Sequence, residues 1–273
     1  MDYTNETYED RKVRYKERLA NLTMMSDIFA RNVLKDEKVS EYILRIIMDD
    51  KNLIVTENIT QADFSNLRGR SAILDCLAKS GDGRVFNIEV QQTNTGASPK
   101  RSRYYMSLLD ANALNPGDSF DKLPETYLIF ITEDDALQRG LPIIHFSQKA
   151  DEDGLEFGDG THYIYVDSSQ HTDTKLGKLM HDFRCKNPDD MGDNVLTNRI
   201  RVLKETEEGV ETMCREMEEI RNEGLTEGEL ERARQIAIRL SKTKMSIEEI
   251  ADTVGESVQL VKRWLSESTA PIC

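Results

Sequence analysis

A glutamate stands in the middle of a strand-like segment, "RVFNIEVQQTN" (residues 84–94). Side chains alternate across a strand, so Glu89 and Gln91 point to one face while hydrophobic side chains point to the other, into the core. Burying an ionised carboxylate is costly unless a partner neutralises it. The segment therefore predicts that either a cationic side chain or a metal ion lies beside Glu89.

A second acid, Asp75, lies in the preceding strand-like run "AILDCLA" (72–78). The two runs are joined by "KSGDG" (79–83), which is typical of a hairpin turn. Antiparallel pairing through this turn brings Asp75 beside Glu89. Two carboxylates among apolar neighbours repel each other, and a divalent cation removes that repulsion. Two carboxylates, a backbone carbonyl and waters are hard oxygen ligands that suit magnesium or manganese.

Such a metal site could act on a phosphodiester. A bound cation polarises a phosphoryl oxygen and lowers the pKa of a bound water, which then attacks phosphorus. The alternative is structural: the two carboxylates bond to Arg70 or Arg84, or they are solvated at a sheet edge. Spacing alone does not choose between these interpretations.

Helical and strand-like patterns follow one another in an order that predicts a mixed α/β domain. Hydrophobic residues recur at helical intervals over residues 20–50, with a break near Lys35-Asp36. A further helix, over 99–113, begins at a proline. The predicted strands cover residues 52–59, 71–78, 84–91, 125–132, 141–147 and 161–166.

The chain changes character near residue 190, where charged helical periodicity replaces apolar strand runs. We expect a long helix over about 193–222 and a helix, turn and helix over 245–265. Ser246 and Glu249 form a capping box. The second helix of the pair carries Lys262 and Arg263 but few other bases, which favours a docking or packing pair. A DNA-binding helix-turn-helix is the alternative.

Composition narrows the class of protein. The chain has 273 residues and a formal net charge of −14, which argues against non-specific coating of nucleic acid but leaves room for a local basic site. No apolar run is long enough to span a membrane, and the polar N-terminus does not resemble a targeting peptide. Four widely spaced cysteines argue against a structural zinc cluster and predict reduced thiols in the cytoplasm.

Asp75, the run Glu89-Val90-Gln91 and the following helix, beginning "KRSRYYMSLLDA", together resemble the PD-(D/E)XK nuclease superfamily. The likeness is to its Rpn-type, transposase-associated branch, in which glutamine often replaces the lysine, and it covers roughly residues 20–225. It implies a restriction-endonuclease-like α/β fold with a mixed sheet (αβββαβ) flanked by helices. The nuclease-like domain would occupy residues 1–190, and residues 191–273 would form an all-helical extension.

The resemblance also implies roles for individual residues. Asp75, Glu89 and the Val90 carbonyl would bind Mg or Mn. Gln91 would occupy the position of the superfamily lysine, where an amide can orient a water but supplies no charge. Arg101 would contact a phosphate oxygen.

Four further residues have less specific expected roles. Aromatic Tyr104 and Tyr105 are expected in the core rather than at the substrate. The first helix of related nucleases can supply an extra acid, and both Asp27 and Glu41 are candidates here.

The function that follows from the resemblance is a Mg-dependent DNA endonuclease, which would promote recombination or be linked to mobile elements. Its partners would be DNA and further copies of the chain, associating through the C-terminal helices, with no membrane. The missing lysine and the net charge support a different class, a weak or inactive nuclease-fold module that binds nucleic acid or protein.

Overall fold

The structure, a computed structural model, describes residues 6–64 and 72–269. The chain divides into two compact units, Met1–Cys214 and Arg215–Cys273. The sequence predicts the change from apolar strand runs to charged helices near residue 190. The helix that follows, Val195–Glu205, packs on the helices of the first unit.

The described part of the first unit is built on a six-stranded mixed sheet in the order β1-β2-β3-β4-β6-β5. β1, β2 and β3 form an antiparallel meander, β3, β4 and β6 run parallel, and β5 is antiparallel to β6. The predicted mixed sheet and the order of its elements are confirmed. The strands are β1 (Val55–Phe64), β2 (Ala72–Ser80), β3 (Val85–Gln91), β4 (Thr126–Thr132), β5 (Ile143–Phe146) and β6 (Thr161–Asp167).

Helices flank this sheet. The predicted break at Lys35-Asp36 is confirmed, because the Asp36 carboxylate accepts a hydrogen bond from the Lys38 amide (3.0 Å) and starts a new helix. The helices of the first unit are α1 (Tyr8–Asn21), α2 (Asp27–Leu34), α3 (Glu37–Ile47), α4 (Pro99–Ala113), α5 (Lys175–Arg184) and α6 (Val195–Glu205).

β3 is buried on both faces, because α4 covers the face that carries Glu89. In the parallel register Glu89 lies beside Phe130 of β4, and the Phe130 ring stacks on Tyr105 of α4 at 6.5 Å. Tyr105 is buried in this core and Tyr104 packs partly buried against it, as expected. The carboxylate is therefore enclosed by protein rather than left at an open sheet edge.

The remaining helices are α7 (Glu207–Leu240), α8 (Ile247–Val254) and α9 (Val258–Thr269). The prediction of one long helix over about 193–222 is wrong. Thr206 adopts an extended conformation after α6, and its hydroxyl accepts a hydrogen bond from the Gly209 amide (3.1 Å), which starts α7. None of the helices described here combines the length and the apolar character needed to cross a bilayer.

Candidate active site

Asp75 and Glu89 lie next to each other across the β2–β3 hairpin. The last paired residues of that ladder are Cys76 and Ile88. Beyond them each carboxylate accepts a hydrogen bond from the backbone of the other strand: the Asp75 amide donates to Glu89 Oε1 (3.1 Å), and the Val90 amide donates to Asp75 Oδ2 (3.0 Å). The hairpin therefore holds the two acids together through backbone contacts that few side-chain substitutions would remove.

The Glu89 carboxylate is wholly buried, with an exposed fraction of 0%. Its Oε1 also accepts a hydrogen bond from the Asn87 side-chain amide (3.0 Å). Its Oε2 has no hydrogen-bond partner in the described part of the chain, and the Arg101 guanidinium lies 3.9 Å away. A buried acceptor without a donor is uncommon in folded proteins, so this oxygen is available for a ligand.

Both carboxyl groups titrate above their ordinary range. Burial raises the pKa of Glu89 to about 8, and the negative charge of Asp75 adds to the effect. Burial also raises the pKa of Asp75 to about 6; the Val90 amide opposes this rise, and the charge of Asp27 adds to it. Without a cation the pair therefore retains a proton near neutral pH.

The two first-helix candidates differ in what they contact. Asp27, in the first turn of α2, is close enough for its charge to raise the pKa of Asp75. Glu41, in α3, accepts a hydrogen bond from the Val55 amide (3.0 Å) and pairs with Arg45 (2.8 Å). Glu41 thus joins α3 to β1, and Asp27 is the candidate that lies near the carboxylate pair.

Gln91 and Arg101 meet above the same face of β3. Arg101 Nη1 donates to Gln91 Oε1 (3.4 Å), and its guanidinium lies over the Tyr105 ring, 4.8 Å from the centroid. A Cβ at Gly96 would overlap Gln91 Oε1, so the backbone passes close to this amide. Arg101 is therefore placed near both Gln91 and Glu89.

The structural alternative named two other arginines. Arg84 pairs with Asp50 (2.8 Å) and Asp82 (2.8 Å) at the hairpin turn, so it is committed elsewhere. Arg70 lies outside the described residues. Among the residues that are described, Arg101 is the cation that pairs with Glu89.

The donor set suits a hard divalent cation. It offers two carboxylates, one with a buried oxygen that accepts no hydrogen bond from the part of the chain that the structure describes. The backbone groups of the odd-numbered residues of β3 bond to the β4 side: the Val85 amide donates to the Glu125 carbonyl (2.9 Å), and the Gln91 carbonyl accepts from the Glu133 amide (3.1 Å). Because these directions alternate along a strand, Val90 directs its backbone groups towards β2. Within residues 6–64 and 72–269, no three His, Cys, Asp or Glu side chains are grouped to hold a metal ion. Carbonyl oxygens and waters would have to complete the coordination.

Asn87 was missed by the sequence reasoning. It is fully buried, it shares the face of Glu89 and Gln91, and its Oδ1 lacks a hydrogen-bond partner among the described residues. The period of two along "NIEVQ" could have identified it, because a third polar residue on one face of a buried strand is unusual.

A family model described as "PD-(D/E)XK nuclease family transposase" matches residues 27–252, well over half of the chain. The chain belongs to this family. The matched region contains Asp27, Asp75, Glu89 and Arg101 and ends within α8. No curated protein and no solved structure matches the chain. Membership indicates a nuclease-type function directed at DNA, and PD-(D/E)XK nucleases generally use divalent metals.

Proposed function

We propose that this protein is a Mg- or Mn-dependent endonuclease that hydrolyses phosphodiester bonds in DNA. The observation that carries the proposal is the buried Oε2 of Glu89 beside Asp75, which accepts no hydrogen bond from the described residues and has only the Arg101 guanidinium nearby, at 3.9 Å. A buried carboxylate oxygen that accepts no hydrogen bond lowers the stability of the fold, since burial disfavours its charge. Binding of a cation would offset that cost.

Asp75, Glu89 and the Val90 carbonyl would hold the cation. When bound, that cation would polarise a phosphoryl oxygen and lower the pKa of a water. The hairpin contributes rigidity: backbone amides from opposite strands fix one oxygen of each carboxylate, at 3.1 and 3.0 Å, which orients the other oxygen before substrate arrives.

Gln91 and Arg101 would divide the work of the superfamily lysine. The Gln91 amide orients a water by hydrogen bonding but carries no charge. Arg101 lies against Gln91 Oε1 at 3.4 Å and carries a permanent positive charge, so it would contact the scissile phosphate. Electrostatic contacts of this kind contribute about 3–4 kcal/mol to a transition state.

The wider expectations belong to the same proposal. The nuclease chemistry would lie within residues 1–190, in a cytoplasmic protein whose helical extension (191–273) mediates association between copies. A role in recombination or in a mobile element follows from the transposase description of the family.

A second candidate function is an inactive nuclease-fold module that binds DNA or protein. Gln91 in place of lysine favours it, since the residue that normally supplies charge at the nucleophile is absent. This candidate predicts binding without turnover.

Cleavage of supercoiled plasmid by the full chain, with Mg or Mn and with a chelator, separates the two. We expect metal-dependent nicking or linearisation by the wild type and loss of more than about a hundredfold in Asp75→Asn and Glu89→Gln. Glu57→Gln is the matched control, because Glu57 is an exposed strand acid paired with Lys79. Equal cleavage by wild type and Glu89→Gln would refute the proposed site, and DNA binding with no cleavage by the wild type would favour the inactive module.

A further inference from the structure

The C-terminal unit has a small hydrophobic core of its own, formed by the last turns of α7 together with α8 and α9. Trp264 of α9 is its largest member, with 4% of its surface exposed. The other buried members are Ala237, Ile250, Ala251 and Val261, and partly buried apolar residues surround them. Three helices around one core are enough to hold the α8–α9 pair in a defined arrangement.

The connection between α8 and α9 is a sharp three-residue turn. Gly255 has a φ of 75°, a left-handed conformation that glycine adopts without strain, and its amide closes the end of α8. The Glu256 amide bonds back to the Ala251 carbonyl (3.0 Å). Ser257 then caps α9 by accepting a hydrogen bond from the Leu260 amide (3.2 Å). This is the turn length and chemistry of a helix-turn-helix.

α9 presents an exposed polar face opposite the core. The exposed residues Gln259, Lys262, Arg263 and Ser266 are spaced i, i+3, i+4 and i+7, so they form one stripe. That stripe contains two bases and no acid. The side chains of these four residues end in amide, ammonium, guanidinium and hydroxyl groups, which form hydrogen bonds to base edges and phosphates in protein–DNA complexes.

The next acid along α9, Glu267, is directed towards α7. It pairs with Arg234 at 3.3 Å and approaches Arg263 at 3.9 Å. The Glu267 carboxylate is thus shared between Arg234 and Arg263, and the stripe has no acid between Gln259 and Lys262.

Charge is segregated along the C-terminal unit. Residues 216–231 contain seven acids and one base, whereas residues 232–269 contain seven bases and five acids. Two of these bases, Lys242 and Lys244, are exposed in the turn that precedes α8. In a chain of net charge −14, the bases of the α9 stripe and of this turn form a local surplus of positive charge, which is complementary to a polyanion.

We propose that α8 and α9 form a helix-turn-helix that binds duplex DNA, with the Gln259–Ser266 stripe of α9 in the major groove. α8 carries three acids (Glu248, Glu249 and Asp252), which DNA phosphates would repel. The contacts with DNA would therefore come from α9 and from the turn before α8. The inference goes beyond the proposed function: the family match ends at residue 252, before the turn and α9, and binding at this surface needs no cleavage.

Binding of the full chain to a labelled mixed-sequence DNA duplex, measured by fluorescence anisotropy in a chelator, tests this directly. We expect the double variant Lys262→Ala/Arg263→Ala to bind at least about tenfold more weakly and with a shallower salt dependence, because phosphate and base contacts are lost. Arg232→Ala is the matched control: Arg232 is an exposed base on α7, off the stripe, and its removal should leave affinity unchanged. Gln259→Ala should change the preference among duplex sequences more than the mean affinity.

Several outcomes would overturn the inference. The double variant could bind duplex DNA as tightly as the wild type and Arg232→Ala do, or the wild type could fail to bind, or it could prefer RNA of the same sequence. A double variant with unchanged DNA affinity but a smaller mass by light scattering would show that the stripe is a contact between copies instead. Since the chelator prevents cleavage, a failure of the nuclease proposal leaves this measurement unaffected.

Discussion

Replacing Glu89 by glutamine should make the metal-free protein more resistant to unfolding as pH rises. Glutamine keeps an acceptor oxygen for the Asp75 amide and for Asn87, which hold Oε1 at 3.1 and 3.0 Å. It removes the carboxyl group, whose ionisation is made costly by burial and by the charge of Asp75. The effect of the substitution is therefore a change in the pH dependence of stability.

The sign follows from the proton balance. The folded pKa of Glu89 is about 8, above its ordinary value of 4.5, so the folded state binds more protons than the unfolded chain between these values. The stabilisation that the protonated Glu89 carboxyl contributes is fully present below about pH 4.5 and is lost as pH rises through about 8. Linkage gives a loss of about 3 kcal/mol between about pH 5 and pH 8, and about 6–12 °C in Tm for a unit of this size.

Thermal unfolding followed by circular dichroism, in a chelator and across this pH range, measures the effect. The wild type and Glu57→Gln should lose Tm with rising pH, while Glu89→Gln should show a much flatter profile. Magnesium added at about pH 8 should raise the Tm of the wild type more than that of Glu89→Gln, because ligand binding to the folded state stabilises it. Parallel pH profiles for wild type and Glu89→Gln would refute the assignment of a costly buried charge to this carboxyl.

Three further predictions test the rest of the site and the last helices. Arg101→Ala should reduce plasmid cleavage by about a hundredfold, whereas Arg103→Ala, an exposed arginine on the same helix, should have a much smaller effect; equal losses would mean that Arg101 has no special role. Gln91→Lys should keep or raise the cleavage rate and Gln91→Ala should lower it without lowering Tm, so a Gln91→Ala enzyme as fast as the wild type would exclude the amide from the chemistry. Trp264→Ala should destabilise the core of the last three helices by about 3–5 kcal/mol, seen as an early loss of helical circular dichroism, and an unchanged melting curve would contradict that core.

Much of the geometry of the candidate site could be predicted because it is local. The alternation of "NIEVQ" places Glu89 and Gln91 on one face whatever surrounds the strand, since the side-chain period of a strand is two. The short turn "KSGDG" sets the register of the two strands, and that register brings Asp75 beside Glu89 just beyond the last ladder pair, Cys76 and Ile88. The break at Lys35-Asp36 was likewise encoded by a capping residue at the start of the next helix.

What remained was decided by contacts between residues far apart in sequence. The sequence alone did not distinguish Asp27 from Glu41 as the extra acid. The packing of α2 and α3 on the sheet places Asp27 near Asp75, whereas Glu41 bonds to Val55 and Arg45. The burial of the Glu89 face depends on α4 crossing it. Neither the raised pKa of Glu89 nor the lack of a hydrogen bond to its Oε2 within the described residues could therefore be predicted from β3 alone. A strand pattern specifies which side chains share a face, whereas the free energy of a charge on that face depends on what the tertiary structure places over it.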